Sequence, residues 1–196
     1  MRERVATVVR KTTETEVRVT VDLDGGDVMA ATGVPFFDHM LDQLGRHGRL
    51  GLDVAATGDL EIDAHHTVED VGIALGEALT EALDDKRGIT RYGDASVPME
   101  ECLARAALDI SDRPLLVYRA DIPAESIGQF EVGLAEEFFQ ALCRSGGITL
   151  HVELVYGRNA HHAVEAIFKA VARALGVAVA IDPRAPDVIP STKGSL

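Results

Sequence analysis

The chain has 196 residues, 46 % hydrophobic and 26 % charged, with a formal net charge of −13. This is the composition of an ordered protein with one core or two small halves sharing one, and its charge would repel nucleic acid and anionic membranes at long range. No apolar h-region follows Met1, and the most apolar late stretch carries Lys169 and Arg173, so the expectation is a cytoplasmic protein without a membrane span. Cys102 and Cys143 lack CxxC spacing and read as packing residues in a reducing compartment.

In chain order, apolar residues alternate from Val5 to Val9 and again through Val17, Val19, Val21 and Leu23, as in half-buried strands. The polar connection between them contains Glu14, to which the spacing gives no role. Gly25-Gly26 supplies a turn, and a short strand is expected around Val28 to Ala31. Pro35 then opens a helix in which Phe36, Phe37, Met40, Leu41 and Leu44 recur at helical spacing, carrying His39 and ending near His47. Leu50, Leu52 and Val54 alternate as a strand that leads to His65-His66-Thr67-Val68-Glu69, the start of a helix with the apolar stripe Val68, Val71, Leu75 and Leu79.

Beyond Gly88, Tyr92-Gly93 and Pro98 mark an irregular passage. Ala104 to Ile110 and Leu115 to Ile122 read as strands forming a hairpin around Asp112-Arg113-Pro114. A helix with Phe138, Phe139 and Leu142 ends near Gly146-Gly147, and a strand from Ile148 to Val155 follows. The next helix starts with His161-His162-Ala163-Val164-Glu165 and carries the stripe Val164, Ile167, Val171 and Leu175. Pro183, Pro186 and Pro190 break up the tail.

The two histidine motifs are 161 − 65 = 96 residues apart, and their apolar stripes share that spacing. Upstream, Gly48, Leu50, Leu52 and Val54 match Gly146, Ile148, Leu150 and Val152 at 98 residues, a register that aligns His39 with Glu137. The chain therefore reads as an internally duplicated α+β unit with helices packed together and sheets outside: residues 1–90, residues 91–182 and a tail, 183–196. Within each motif the glutamate stands one turn from both histidines, and the two imidazoles point roughly 100° apart, so two metals could each take one. His39, His65, His66, Glu69, Glu137, His161, His162 and Glu165 make eight candidate ligands, four for each of two ions. Such a set suits Mn, Fe, Co, Ni or Zn, and the absence of cysteine ligands argues against structural zinc.

Phe36-Phe37-Asp38-His39-Met40-Leu41-Asp42-Gln43-Leu44, Asp63 to Gly72, Asn159 to Ala170 and Ile189-Pro190-Ser191-Thr192-Lys193-Gly194 together resemble the signatures of the imidazoleglycerol-phosphate dehydratase family, over essentially the whole chain. The resemblance implies a ribosomal protein S5 domain 2-like fold, with helices between two mainly four-stranded sheets. It also implies two Mn2+ per active site, and 24 subunits built from trimers with sites between subunits.

The implied reaction removes water from imidazole glycerol phosphate, through a metal-held imidazolate and a diazafulvene, to give imidazole acetol phosphate in histidine biosynthesis. By similarity Glu14 and Glu165 are the acid and base candidates, with His47 near the substrate. His39, Gln43, His65, Glu69 and His161 also face the substrate by similarity, and Arg91, Arg113, Lys169, Ser191, Thr192 and Lys193 match the phosphate side. Lys169 has independent support, because it stands two turns beyond the histidine pair, about 10 to 12 Å along the axis.

The chain departs from the family at Glu136-Glu137-Phe138-Phe139, where many members have Glu-His-Phe-Phe with that histidine a ligand. Glu137 replaces the histidine, stands behind a water that fills its place, or is an ordinary exposed residue of the helix. Two rival readings use the same donors: a dinuclear metallohydrolase and a metal-storage or metal-sensing protein. Metallohydrolase sites favour bridging carboxylates, whereas histidines predominate here, and a metal-binding role alone gives the basic residues and the tail no purpose.

Overall fold

The computed structural model describes residues 3–194 and 196. Met1, Arg2 and Ser195, which belong to the expected first half and tail, lie outside the described residues.

The alternating stretches form the hairpin β1 (Val5–Lys11) and β2 (Thr15–Asp22), followed by β3 (Val28–Ala31), α1 (Pro35–Gly48), β4 (Gly51–Gly58) and α2 (His65–Leu83). The same sequence of elements returns as β5 (Tyr92–Met99), β6 (Cys102–Ile110), β7 (Leu115–Arg119), α3 (Leu134–Gly146), β10 (Ile148–Tyr156) and α4 (Ala160–Val179). A two-stranded ribbon, β8 (Ser126–Ile127) with β9 (Phe130–Glu131), is added between β7 and α3. Both four-stranded sheets have one topology, β1-β2-β4-β3 and β5-β6-β10-β7, with the last pair parallel in each.

The expected hairpin at Asp112-Arg113-Pro114 is absent, because β10 lies between β6 and β7 and pairs parallel with β7. A parallel pair needs a crossover, and α3 supplies it as α1 does between β3 and β4. β7 also ends at Arg119, short of Ile122. The passage expected to be irregular, Tyr92 to Pro98, is strand β5. It lies at the edge of its sheet, where a proline costs no ladder bond on the open side. Gly93 is required there by close approach: a Cβ would stand 1.9 Å from the carbonyl oxygen of Ala174 on α4.

The helices lie between the sheets and meet across the halves, α1 against α4 and α2 against α3. Gly176 lets α1 and α4 close, since a Cβ on it would be 2.3 Å from the Gly48 carbonyl oxygen. Both apolar stripes are in the core, with Val68, Val71, Leu75, Leu79 and their counterparts Val164, Ile167, Val171 and Leu175 at most 2 % exposed. Each such side chain contributes about 1.5 to 3 kcal/mol by leaving water. Cys102 and Cys143 are free and buried, and burial pushes the Cys143 thiol up to about 12. No helix among the described residues is long and apolar enough to cross a membrane.

Candidate metal centre and anion pocket

Residues His39, Gln43 and His47 are spaced four apart on α1 and so share one face, which lies against α4. This crossing of the halves brings His39 from α1 beside His161 and Glu165 from α4. The Glu165 Oε2 atom is 3.2 Å from His161 Nε2 and 3.6 Å from His39 Nε2, and one donor atom from each of the three residues lies within 4.8 Å of the others. Glu165 is 5 % exposed, whereas the His39 and His161 side chains are 42 % and 45 % exposed and can be reached from solvent. Phe36 lies edge-on to the His161 ring at 5.1 Å and limits where that ring can go.

Burial alone would raise the Glu165 carboxyl, but Lys169 and His39 outweigh it and hold it below the usual carboxylate range. Lys169 Nζ is 2.6 Å from Glu165 Oε1. Lys169 is thus engaged at the donor group and does not line the anion pocket described below. His47 Nε2 is 3.1 Å from Gln43 Oε1. Partial burial, with the positive charges of Lys169 and Arg173, lowers the pKa of His47 and favours its neutral form.

The motif on α2 has different surroundings. Within each histidine pair the rings stand nearly perpendicular, at 86° for His65 and His66 and 82° for His161 and His162. His65 Nε2 is 4.0 Å from Glu69 Oε2, at the limit of an ion pair, and Glu69 is 37 % exposed. Glu137, although on the helix packed against α2, is exposed and joins no three-donor group; among the described residues that group is His39, His161 and Glu165 alone. Glu14, in the β1–β2 turn, has its Oε2 3.8 Å from His66 Nδ1. Asp70 accepts hydrogen bonds from Arg10 and Thr15 and so ties that turn to α2.

Two carboxylates missed by sequence reasoning contact the second histidine of each pair: Asp59 Oδ2 is 2.9 Å from His66 Nδ1, and Glu101 Oε2 is 2.9 Å from His162 Nδ1. The hydrogen bond to Asp59 raises the pKa of His66. The bond from His162, with the Asn159 backbone N–H, holds the Glu101 carboxyl down at about 2. Glu101 occupies the β5–β6 turn as Glu14 occupies the β1–β2 turn, but they are 101 − 14 = 87 residues apart. The hairpins differ in length, so neither repeat register connects them.

On another part of the chain, Arg91, Arg113, Ser191, Thr192 and Lys193 share a cavity of about 760 Å³. Arg91 donates to Asp109 through Nε at 2.7 Å and Nη2 at 3.1 Å, and through Nη1 to the Pro190 carbonyl oxygen at 2.8 Å. That last bond fixes the tail against β5 and β6. Asp109 also accepts a long bond from Arg113 Nη2 at 3.4 Å, which leaves Arg113, 69 % exposed, and Lys193 as the cations best able to meet an anion. Asp109 escaped sequence reasoning because alternation marks it only as an outward strand residue.

The chain matches the family model described as imidazoleglycerol-phosphate dehydratase over residues 32–175. The chain belongs to that family. It is accordingly a hydro-lyase, a dehydratase of histidine biosynthesis. The imidazoleglycerol-phosphate dehydratase of Symbiobacterium thermophilum is 61 % identical over 195 residues, covering 99 % of this chain and 93 % of the relative. That of Ruegeria sp. is 57 % identical over 194 residues, covering 98 % and 100 %. Among solved structures, the family member from Staphylococcus aureus superposes with a TM-score of 0.82 at 38 % identity, covering 91 % of this chain and 99 % of that one. The Pyrococcus furiosus IGPD in complex with (S)-C348 gives 0.84 at 36 %, covering 96 % and 100 %. These likenesses agree with the α+β expectation of helices between two four-stranded sheets.

Proposed function

We propose that this dehydratase converts imidazole glycerol phosphate to imidazole acetol phosphate and water, with two Mn2+ ions per active site. The observation that carries the metal reading is the meeting of His39, His161 and Glu165 from two halves of the chain, with donor atoms within 4.8 Å. Two imidazoles and a carboxylate suit a borderline divalent ion, and the carboxylate favours Mn over softer metals. His39, His161 and Glu165 would hold one ion, and His65, His66, Glu69, His162 and Glu137 are the remaining donors. When bound, the metal supplies Lewis acidity at the ring nitrogens of the substrate, which lets the ring assist departure of the hydroxyl.

The chain's own residues do the rest. Glu14, exposed at a turn, is the acid or base at the departing hydroxyl or the adjacent C–H, and neutral His47 is an acceptor nearby. Arg113 and Lys193 bind the phosphate, with the Ser191 and Thr192 hydroxyls, while Arg91 holds the tail that carries three of these groups. The working form is a 24-subunit, cytoplasmic assembly with sites between subunits, where the donors of α2, which join no three-donor group among the described residues, would find their partners.

The test is turnover. Purified protein reconstituted with Mn2+ should form the acetol product from imidazole glycerol phosphate, and chelation should stop it. Release of inorganic phosphate without dehydration would favour the metallohydrolase reading, and absence of both reactions in a protein with two bound ions would leave a metal-binding role.

A further inference from the structure

The two carboxylates behind the histidine pairs play like parts but come from non-equivalent places in the two halves. Asp59 reaches His66 from the connection that leads directly into α2. Glu101 reaches His162 from the preceding hairpin, 61 residues away in sequence. Its other oxygen, Oε1, accepts the backbone N–H of Asn159 at 2.7 Å and of Arg158 at 3.3 Å. The Asn159 side chain in turn accepts the N–H groups of His161 and His162, as the N-cap of α4. Glu101 therefore grips the helix start twice, once through the loop and once through the ring.

A carboxylate only accepts hydrogen bonds, so a contact at Nδ1 requires the proton on that nitrogen and leaves Nε2 as the one free for an ion. We infer that Glu101 is a positioning residue that fixes His162 as the Nδ1–H tautomer and aims its Nε2 at the metal, as Asp59 does for His66. The inference rests on the metal reading above for its consequence, but the hold on the ring does not require a metal. Hydrogen-bonded partners behind metal-bound histidines are typically worth about 10- to 100-fold in metal affinity. A glutamine at this position keeps the size and can still accept at its carbonyl oxygen, but loses the charge that secures one tautomer. An aspartate keeps the charge on a shorter stem.

The experiment is run on the intact assembly, with solid-state 15N spectra of the metal-free protein reporting histidine tautomers and Mn2+ titration reporting affinity. Glu101→Gln should mix the tautomers of His162, leave His66 unchanged and weaken one Mn2+ by about 10- to 100-fold. Asp59→Asn should do the converse, and Glu101→Asp should recover most of the His162 signal. A Glu101→Gln protein with wild-type tautomers and wild-type Mn2+ affinity would overturn the inference, even if its melting temperature fell, because Glu101 would then serve the loop alone. If the wild type took up no Mn2+ while Glu101→Gln still disturbed His162, the metal reading would fall and the hold of Glu101 on the ring would stand.

Discussion

The starts of α2 and α4 carry the same motif, two histidines and a glutamate, and their environments make different things of it. At α4 the glutamate is buried, paired with Lys169 and joined by His39 from α1, so three donors converge before any ion arrives. At α2 the glutamate is 37 % exposed, Ile73 stands where Lys169 stands in the other copy, and Glu137 from α3 remains exposed. The caps differ less: Asn159 accepts the N–H groups of His161 and His162 at α4, and Asp63, its counterpart 96 residues earlier, accepts that of His65 at α2. The motif supplies donors, and the neighbouring helix decides whether they are preorganised.

Equalising the glutamates should erase the difference between the two helix starts most directly. Glu165→Gln removes a donor, an acid–base candidate and the partner of the half-buried Lys169, so kcat should fall by roughly 10²- to 10⁴-fold, more than for Glu69→Gln. Equal losses in steady-state assays would show that the preorganisation at α4 gives it no special weight. The third donor can be tested next. Glu137→Gln should weaken one Mn2+ and spare the other, while Glu137→His, which imitates His39, should keep two ions and much of the activity. Calorimetry showing both ions bound normally by the glutamine variant would remove Glu137 from the metal shell.

Away from both motifs, Arg113→Ala or Lys193→Ala should raise KM by roughly tenfold or more and leave metal content unchanged, on about 1.5 to 3 kcal/mol for a charge-assisted contact. Unchanged kinetics would dismiss the residue. The smallest effect belongs to the caps. Asn159→Ala should lower stability by about 1 kcal/mol, read as a shift in denaturation midpoint, whereas Ala64→Ser should gain little because Ala64, at φ −94° and ψ 1°, lacks the extended backbone of a capping residue. An equal gain there would mean that the two helix starts are interchangeable.

Much of the fold and of the donor set is visible in the sequence, and the reasons for the remainder are physical. Periodicity finds both stripes, and the motif spacing nominates eight donors of which His39, His161 and Glu165 converge, because helical burial and motif spacing are local. It misreads Asp112-Arg113-Pro114 as a hairpin, since the intrusion of β10 between β6 and β7 depends on pairing over some forty residues. It also reads Gly93 and Pro98 as breakers, when one answers to a carbonyl on α4 and the other to an open sheet edge. Asp59, Glu101 and Asp109 pass unnoticed because a carboxylate in a turn or on an outward strand position is ordinary until its partner is known.

The meeting of the helices between the sheets also governs how the chain would survive being cut. α1 rests on α4 and α2 on α3, so each half, although its helices cover its own sheet, leaves the other face of those helices bare without its counterpart. A single proteolytic nick in the turn after α2, around Lys86 and Arg87, breaks no sheet ladder and should leave the two pieces bound as a noncovalent pair. Gel filtration should then return both fragments in one peak, and denaturant should separate them only as it melts the layer that joins them. If the nicked pieces elute apart as folded units, each half has closed a core of its own.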